Sequence, residues 1–276
     1  MRQRHLQERP SVFRLNNDCA LAQGLVFAGL GRVSGSTHYR DSSLYGNHGA
    51  LTNMEATDWL FDGTLGRWVV NCRRVIITAV YIGLPTALDL YENQQWTISG
   101  IIKRNTTTHY DAWIGGDAAN TTNRFAIGDG SPAYLLFADN ASSVFLTASP
   151  KFVAGIWNSL VLTCNGSGSS NLQCWLNGVA QPAVTLTGSY FHITTIGGHR
   201  VGTSAYKLDG LLGDVLIHNR LLSAFEIQQL ADPSNVMLSG LILAPKRRVF
   251  PGYTFSTTTT KKRFFTLRGV KMSCRY

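Results

Sequence analysis

One helix signal at the end of a long series of strand signals constrains this chain more than any other feature. Residues 196–230 read IGGHRVGTSAYKLDGLLGDVLIHNRLLSAFEIQQL. Gly197 and Gly198 open a loop after an apolar strand. Residues 208–218 read as a bent strand or strand pair, with Gly210 and Gly213 where backbones pass closely. Ser223 and Glu226 then stand at capping-box spacing, the Ser oxygen accepting from one orphan helix N–H and the Glu carboxylate reaching back to another. Phe225, Ile227 and Leu230 give the helix a short apolar stripe, and Asp232-Pro233 ends it.

Upstream, candidate strands cover 25–27, 68–70, 75–82, 96–102, 124–128, 134–138, 143–147, 157–164, 172–176, 184–186 and 192–196, with a further short one at 12–15. Their alternation is partial: Trp96, Ile98 and Gly100 face one way, Thr97 and Ser99 the other. Gly and Asn punctuation is dense, as in residues 128–132, 165–171 and 177–178, and this spacing predicts a sandwich or barrel. Trp96, Trp157, Trp175 and Leu216 are expected in its core. A length of 276 residues suits a single β-domain of roughly 200–250 residues with extensions.

The order of these pieces resembles the laminin-G-like domains of the concanavalin-A-like lectin/glucanase group. The run from Ile217 to Ile227, I-H-N-R-L-L-S-A-F-E-I, is similar to the family's closing "I-x-N-R-x-L-S-x-x-E-I" segment. Residues 96–103 resemble its central core strand. Residues 157–162 and 174–178 resemble its hairpin, ending in Asn177-Gly178, and residues 41–49 its early "D-x-S-x-x-x-N-x-G" turn. The resemblance covers residues 18–240. It implies an all-β fold, a two-sheet antiparallel jelly-roll sandwich with one short helix.

Charge divides the chain into three parts. Residues 1–17 carry four arginines and one glutamate, and residues 241–276 carry nine Lys/Arg and no acid. Residues 18–240 carry 12 basic and 15 acidic residues, although the whole chain has a net charge of +9. The reading is a basic N-terminal arm (1–17), a sandwich (18–240) and a basic C-terminal arm (241–276). Basic arms predict a polyanion or an acidic protein surface as partner. Apolar residues stand among the charges, so the contact residues expected are Arg4, Phe13, Arg14, Arg247, Arg248, Phe250, Lys261, Lys262, Arg263 and Phe264. Nucleic acid is the lesser alternative, since no nucleic-acid-binding fold accompanies them. No apolar run reaches the roughly 18 residues of a membrane span. The N-terminus has positive charge without the apolar stretch of a signal peptide. The five cysteines are read as unpaired, half-buried thiols of a reducing cytoplasm; the alternative is that Cys164 and Cys174, which flank one hairpin, meet.

Three site readings follow. Glycosidases need two carboxylates flanking the bond, and the glucanase "E-x-D-x-E" run has no counterpart; Asp209, Asp214 and Glu226 are not so spaced. The chain is therefore expected not to be an enzyme. Calcium is implied by the resemblance, with Asp41 and Asn47 as ligands, although Gly213 stands where relatives often carry an acid; the alternative is that both only make Asx turns. Carbohydrate binding predicts Tyr110, Asp111, Trp113, Asp117, Asn120 and Tyr134 as contacts, because sugars present C–H faces to aromatics and hydroxyls to polar groups. The bland alternative puts Trp113 in the core. The Pro-Lys-Arg-Arg-Val-Phe-Pro tail at 245–251 resembles tailed-bacteriophage structural proteins. It implies a virion decoration protein, capsid or tail, made in the host cytoplasm and anchored by its arms to copies of itself or to other virion proteins. The alternative is a soluble or exported carbohydrate-binding protein and, less favoured, a glycoside hydrolase.

Overall fold

The computed structural model describes residues 14–30, 37–72, 81–105, 111–116, 124–127, 134–138, 143–147, 152–187, 190–198, 208–232, 241–243, 254–256, 263–267 and 270–274. Two antiparallel sheets carry residues 25–218. The front sheet runs in the order β12 (Ser143–Thr147), β11 (Tyr134–Ala138), β10 (Arg124–Ile127), β9 (Asp111–Gly115), β16 (Tyr190–Ile196), β7 (Tyr81–Tyr91), β4 (Gly49–Thr52) and β3 (His38–Tyr39). The back sheet runs β15 (Val179–Ala180), β14 (Leu172–Leu176), β13 (Asn158–Asn165), β8 (Gln95–Arg104), β17 (Gly210–His218), β6 (Arg67–Cys72) and β5 (Trp59–Asp62), with β2 (Leu25–Gly29) also paired to β17.

Alternation sends Trp96, Ile98 and Ile102 of β8, Leu160 and Leu162 of β13 and Ile217 of β17 into the space between the sheets. There they meet Trp113, Phe125, Phe137 and Phe191 of the front sheet. Removing this apolar surface from water drives the packing. Gly100 is required by it: a Cβ there would lie 2.3 Å from the Trp113 ring. Tyr39 bridges the two layers. Its ring stacks between Phe27 and Trp59, and its hydroxyl lies within donating distance of the Gly29 and Gly213 carbonyls (3.0 and 2.8 Å).

The outer face of the back sheet has a core of its own. Val161 and Leu216 point outward and are covered by Leu21, Leu222 and Ile227, among others. The cover consists of a 3-10 turn (Ala20–Ala22), the helix α1 (Ala224–Ala231) and a two-stranded ribbon of β1 (Arg14–Leu15) with β18 (Ile242–Leu243). The capping box is formed: Ser223 N donates to Glu226 Oε2 (2.8 Å), and Glu226 N donates to the Ser223 hydroxyl (3.3 Å). Arg220 donates to both Glu226 oxygens (3.0 and 2.5 Å) and to the carbonyls of Ala20 and Gln23 (2.7 and 2.8 Å). His218, fully buried, hydrogen-bonds through Nε2 to the Leu21 carbonyl (2.9 Å).

Several expectations need correction. Trp157 precedes β13 and is only half-buried, its Nε1 donating to Asp62 (3.1 Å). Trp175 is likewise half-buried, packed on the outer core. Phe225 is 70% exposed, so the helix stripe rests on Ile227 and Leu230. Residues 184–186 contribute an isolated bridge, Leu172 with Val184, rather than a strand. Residues 111–115, absent from the expected strands, are strand β9. The alternative pairing of Cys164 with Cys174 is not formed: both are free and stand opposite Leu172 and Leu162, offset along the hairpin, and burial pushes both thiols up.

The division at the C-terminus lies between Leu243 and Ala244. Leu241 is fully buried in the outer core, and Asn16 N donates to its carbonyl (2.6 Å), so the sandwich continues past 240. Residues 244–276 form a unit of their own. It contains a three-stranded antiparallel sheet of β19 (Thr254–Ser256), β20 (Arg263–Leu267) and β21 (Val270–Cys274). A chain cut after Leu243 should melt like the sandwich of the full protein. One cut after Gly240 should lose roughly 2–5 kcal/mol, the scale for removing a buried leucine. Equal denaturant midpoints for the two truncations would refute this.

Acid should loosen the outer core. Burial pulls the His218 imidazole down to about 4, and the Arg220 hydrogen bonds pull the Glu226 carboxyl down to about 2. Both lie below their unfolded values of 6.5 and 4.5. Their contributions are therefore complete above those values and are lost as pH falls, from 6.5 to about 4 for His218 and from 4.5 to about 2 for Glu226. Asp111 works in the opposite sense. Burial raises it from 3.8 to about 6, so its contribution is lost as pH rises through that range. His218→Gln should be less stable than the wild type at neutral pH, and melting curves should show the gap closing as pH falls towards 4.

Candidate functional site

The front sheet differs from the back sheet on its outer side. Its inward residues, Tyr39, Ile82, Leu84 and Ile193, are buried, while His38, Ala50 and Pro85 stand exposed on the other face. Register aligns one row across four strands: His38 opposite Ala50, Ala50 opposite Gly83, Gly83 opposite Thr195. The two middle members are the smallest residues available, so the sheet surface dips between taller neighbours. Thr52 and Tyr81 form the next pair in the adjoining row. A Cβ at Gly83 would lie 3.4 Å from Tyr81 Cε2, which places the tyrosine ring edge beside the floor.

The groove's wall is the turn at residues 41–48. Asp41 is 2% exposed and organises it. One carboxylate oxygen accepts from Ala28 N and Ser43 N, the other from Asn47 N and the Ser43 hydroxyl, all at 2.8 Å. Asn47 ties the turn to β7: its Nδ2 donates to the Thr86 carbonyl (2.7 Å), and Thr86 N donates to its Oδ1 (3.1 Å). It clasps β7 where that strand departs from its pairing with β16, between Gly83 and Leu88. His48 Nδ1 accepts from Asp41 N (3.1 Å), which leaves Nε2 to carry the proton of the neutral ring.

The result is an open groove of about 600 Å³, lined by His38, His48, Thr52, Tyr81, Pro85 and Thr194 together with the small floor residues. Among the described residues that line it there is no lysine, arginine or carboxylate. It offers an aromatic face, two imidazoles and hydroxyls. This is a set for holding a polar ligand that also has C–H faces.

The residues singled out in the sequence lie elsewhere. Trp113 is fully buried against Gly100 and Phe125, and Asp111 is fully buried in an ion pair with Arg104, whose guanidinium lies 5.9 Å from the Phe152 ring centroid. Neither can present a face to a glycan, and that expectation is corrected. Tyr134 begins β11. Tyr110, Asp117 and Asn120 lie outside the described residues, as do Arg4, Phe13, Arg247, Arg248, Phe250, Lys261 and Lys262. Arg14 is in β1, and Arg263 and Phe264 are in β20. Asp41 and Asn47 do come together, but as builders of the turn. With four donors on one carboxylate and both amide atoms engaged, the pair does not fit a calcium ion, which needs six to eight oxygens. Among the described residues no three His, Cys, Asp or Glu side chains converge as a metal site. Asp209 accepts from Asn105 Nδ2 (3.0 Å), Asp214 pairs with Arg67 and Glu226 with Arg220.

A model of the concanavalin A-like lectin/glucanases superfamily matches residues 78–228, just over half of the chain. The chain belongs to that superfamily. Among solved structures, domain 4 of AbnA, an extracellular GH43 arabinanase from Geobacillus stearothermophilus in complex with arabinotriose, is 17% identical with a TM-score of 0.53. The match covers 75% of this chain and all of that one. Trypanosoma rangeli sialidase is 13% identical with a TM-score of 0.51, covering 78% of this chain but only 33% of the sialidase. A mutant of that sialidase displaying trans-sialidase activity is 15% identical with a TM-score of 0.50, covering 83% and 36%. Among curated proteins, none matches the sequence.

These likenesses carry the fold. They also overturn the expectation that the chain is not an enzyme. The same sandwich occurs within an arabinanase and a sialidase, so a missing glucanase carboxylate run does not decide enzymatic status.

Asp41→Ala would leave the backbone N–H groups of Ala28, Ser43 and Asn47 without their acceptor. It should destabilise the sandwich by at least about 1–3 kcal/mol, the cost of buried unsatisfied groups. Hydrogen exchange should quicken at those three amides ahead of the core strands.

Proposed function

We propose that the protein binds carbohydrate in the groove between β3 and β16, and that its basic ends hold it in a larger assembly. The observation that carries the first part is the composition of the groove on the exposed face of a lectin-type sheet: Tyr81 beside a floor of Ala50 and Gly83, with His38, His48 and Thr52 around it. A sugar ring would lay a C–H face on the aromatic ring and direct hydroxyls to the imidazoles and threonine. The arabinotriose complex of a whole domain of similar fold supports the reading. Binding of this kind calls for no cofactor.

The second part rests on charge. The nine basic residues of 241–276 and the four arginines of 1–17 flank a body with more acids than bases. An acidic surface on a neighbouring copy or another virion protein would suit them. On this reading the protein decorates a virion. The extracellular carbohydrate-binding protein is the alternative and leaves the groove's role unchanged.

Affinity electrophoresis through gels containing arabinan, xylan, a β-glucan or a polyuronide tests the groove. At least one should retard the wild-type protein. Tyr81→Ala should weaken that retardation about tenfold, and Ala50→Trp, which fills the floor, should abolish it with the fold intact by circular dichroism. Retardation unchanged in both variants would refute the groove as the site.

A further inference from the structure

The strands that form the groove continue beyond it. On the same outward face, β7 and β16 set Tyr91 opposite Tyr190 and Asp89 opposite His192. Their neighbours in each strand, Leu90, Phe191 and Ile193, are buried inward. The Tyr91 and Tyr190 rings lie 5.8 Å apart at 37°, and the His192 ring stands nearly perpendicular to Tyr190 at 6.2 Å. His192 Nδ1 hydrogen-bonds to Asp89 Oδ1 at 2.6 Å, with the two side chains 30% and 38% exposed. Tyr91 is 42% exposed.

Two tyrosines side by side, Tyr91 exposed and Tyr190 half-buried, form an apolar shelf, with a carboxylate and an imidazole beside it. Such a surface removes little water by itself and gains most when a ligand with C–H faces lies on it. From Tyr190 to Thr194 in the groove is four residues of one strand, about 13 Å at roughly 3.3 Å per residue. One sugar ring does not span that length.

Resting on the carbohydrate reading of the groove, we infer that the Tyr91–Tyr190 shelf is a second saccharide subsite. The ligand is then a chain of sugars lying along β7 and β16, with one part in the groove and another on the shelf. His192 and Asp89 supply a donor and an acceptor for hydroxyls at the shelf.

Isothermal titration with the trisaccharide and the hexasaccharide of whichever polysaccharide retards the full-length protein tests this. The wild-type protein should bind the hexasaccharide about tenfold more tightly than the trisaccharide. The double variant Tyr91→Ala/Tyr190→Ala should lose that gain and keep the trisaccharide affinity, and Tyr91→Phe/Tyr190→Phe should retain it. Tyr81→Ala should weaken both ligands. No gain with length in the wild type, a gain surviving the double alanine variant, or equal loss at both lengths would overturn the shelf while leaving the groove reading intact. Failure of every polysaccharide to bind the wild-type protein would overturn the carbohydrate reading and the shelf with it. Thermal melts of the variants confirm that the sheet is folded.

Discussion

The guanidinium of Arg220 holds together parts of the chain separated by about two hundred residues. It sits just beyond the end of β17 and donates at once to the Glu226 carboxylate and to the carbonyls of Ala20 and Gln23. A planar fork with five donors suits this task, and an ammonium could not reach all of these acceptors in fixed directions. Glu226 is thereby engaged twice, as capping partner of Ser223 and as counter-ion of Arg220. His218 adds a third tie through the Leu21 carbonyl. Thr97 adds another, donating to the Arg220 carbonyl and accepting from Leu222 N. These polar contacts lie around the apolar residues of the outer core. They fix how the turn at 20–22 and the helix sit on it.

A consequence follows for where a ligand can bind. A sandwich has two outer faces. Here one is occupied by the helix, the 3-10 turn and the terminal ribbon, over a core that includes Val161 and Leu216. Strands β7, β4 and β3 of the front sheet keep exposed residues on their outer side. Relief on that face has two causes. Small residues at Ala50 and Gly83 lower the floor, and the Asn47 clasp on Thr86 fixes the wall where β7 leaves its regular pairing. The wall depends in turn on a carboxylate that accepts from its own loop and from Ala28 N of β2. Asp41 is thus connected to the groove through structure.

Much of the fold was legible because its signals are local. The capping box needs only Ser223 and Glu226 at the right spacing, and it formed as the spacing required. The alternation in β8 and the turn at Asn177-Gly178 gave strands where they were expected, with Asn177 and Gly178 both at positive φ. Trp157 and Phe225 were misplaced because apolarity alone does not distinguish a strand interior from its entrance, or a helix's buried stripe from its flank. The site was far less legible. Asp111 and Trp113 looked like a polar-aromatic loop, but the strand they form runs through the interior, where Arg104 neutralises the aspartate and Gly100 leaves room for the indole. The groove rests on His38, Ala50, Gly83 and Thr195, which come from four strands and share no motif. Only sheet register brings them together, and the small residues that create a depression give no signal in a search for functional side chains.

Charge and relief are separated in this molecule, and the separation bears on what each part can do. Among the described residues the groove lining holds no lysine, arginine or carboxylate, whereas the ends of the chain carry most of the excess positive charge. Screening limits the reach of those basic residues to about 8–10 Å at ordinary salt. The unit at 244–276 has its own sheet and divides from the sandwich after Leu243. Changes in one part thus need not pass to the other. The exposed face of the front sheet can vary in the ligand it takes while the outer core, which fixes the chain's two ends of the sandwich through Leu241 and Arg220, stays the same.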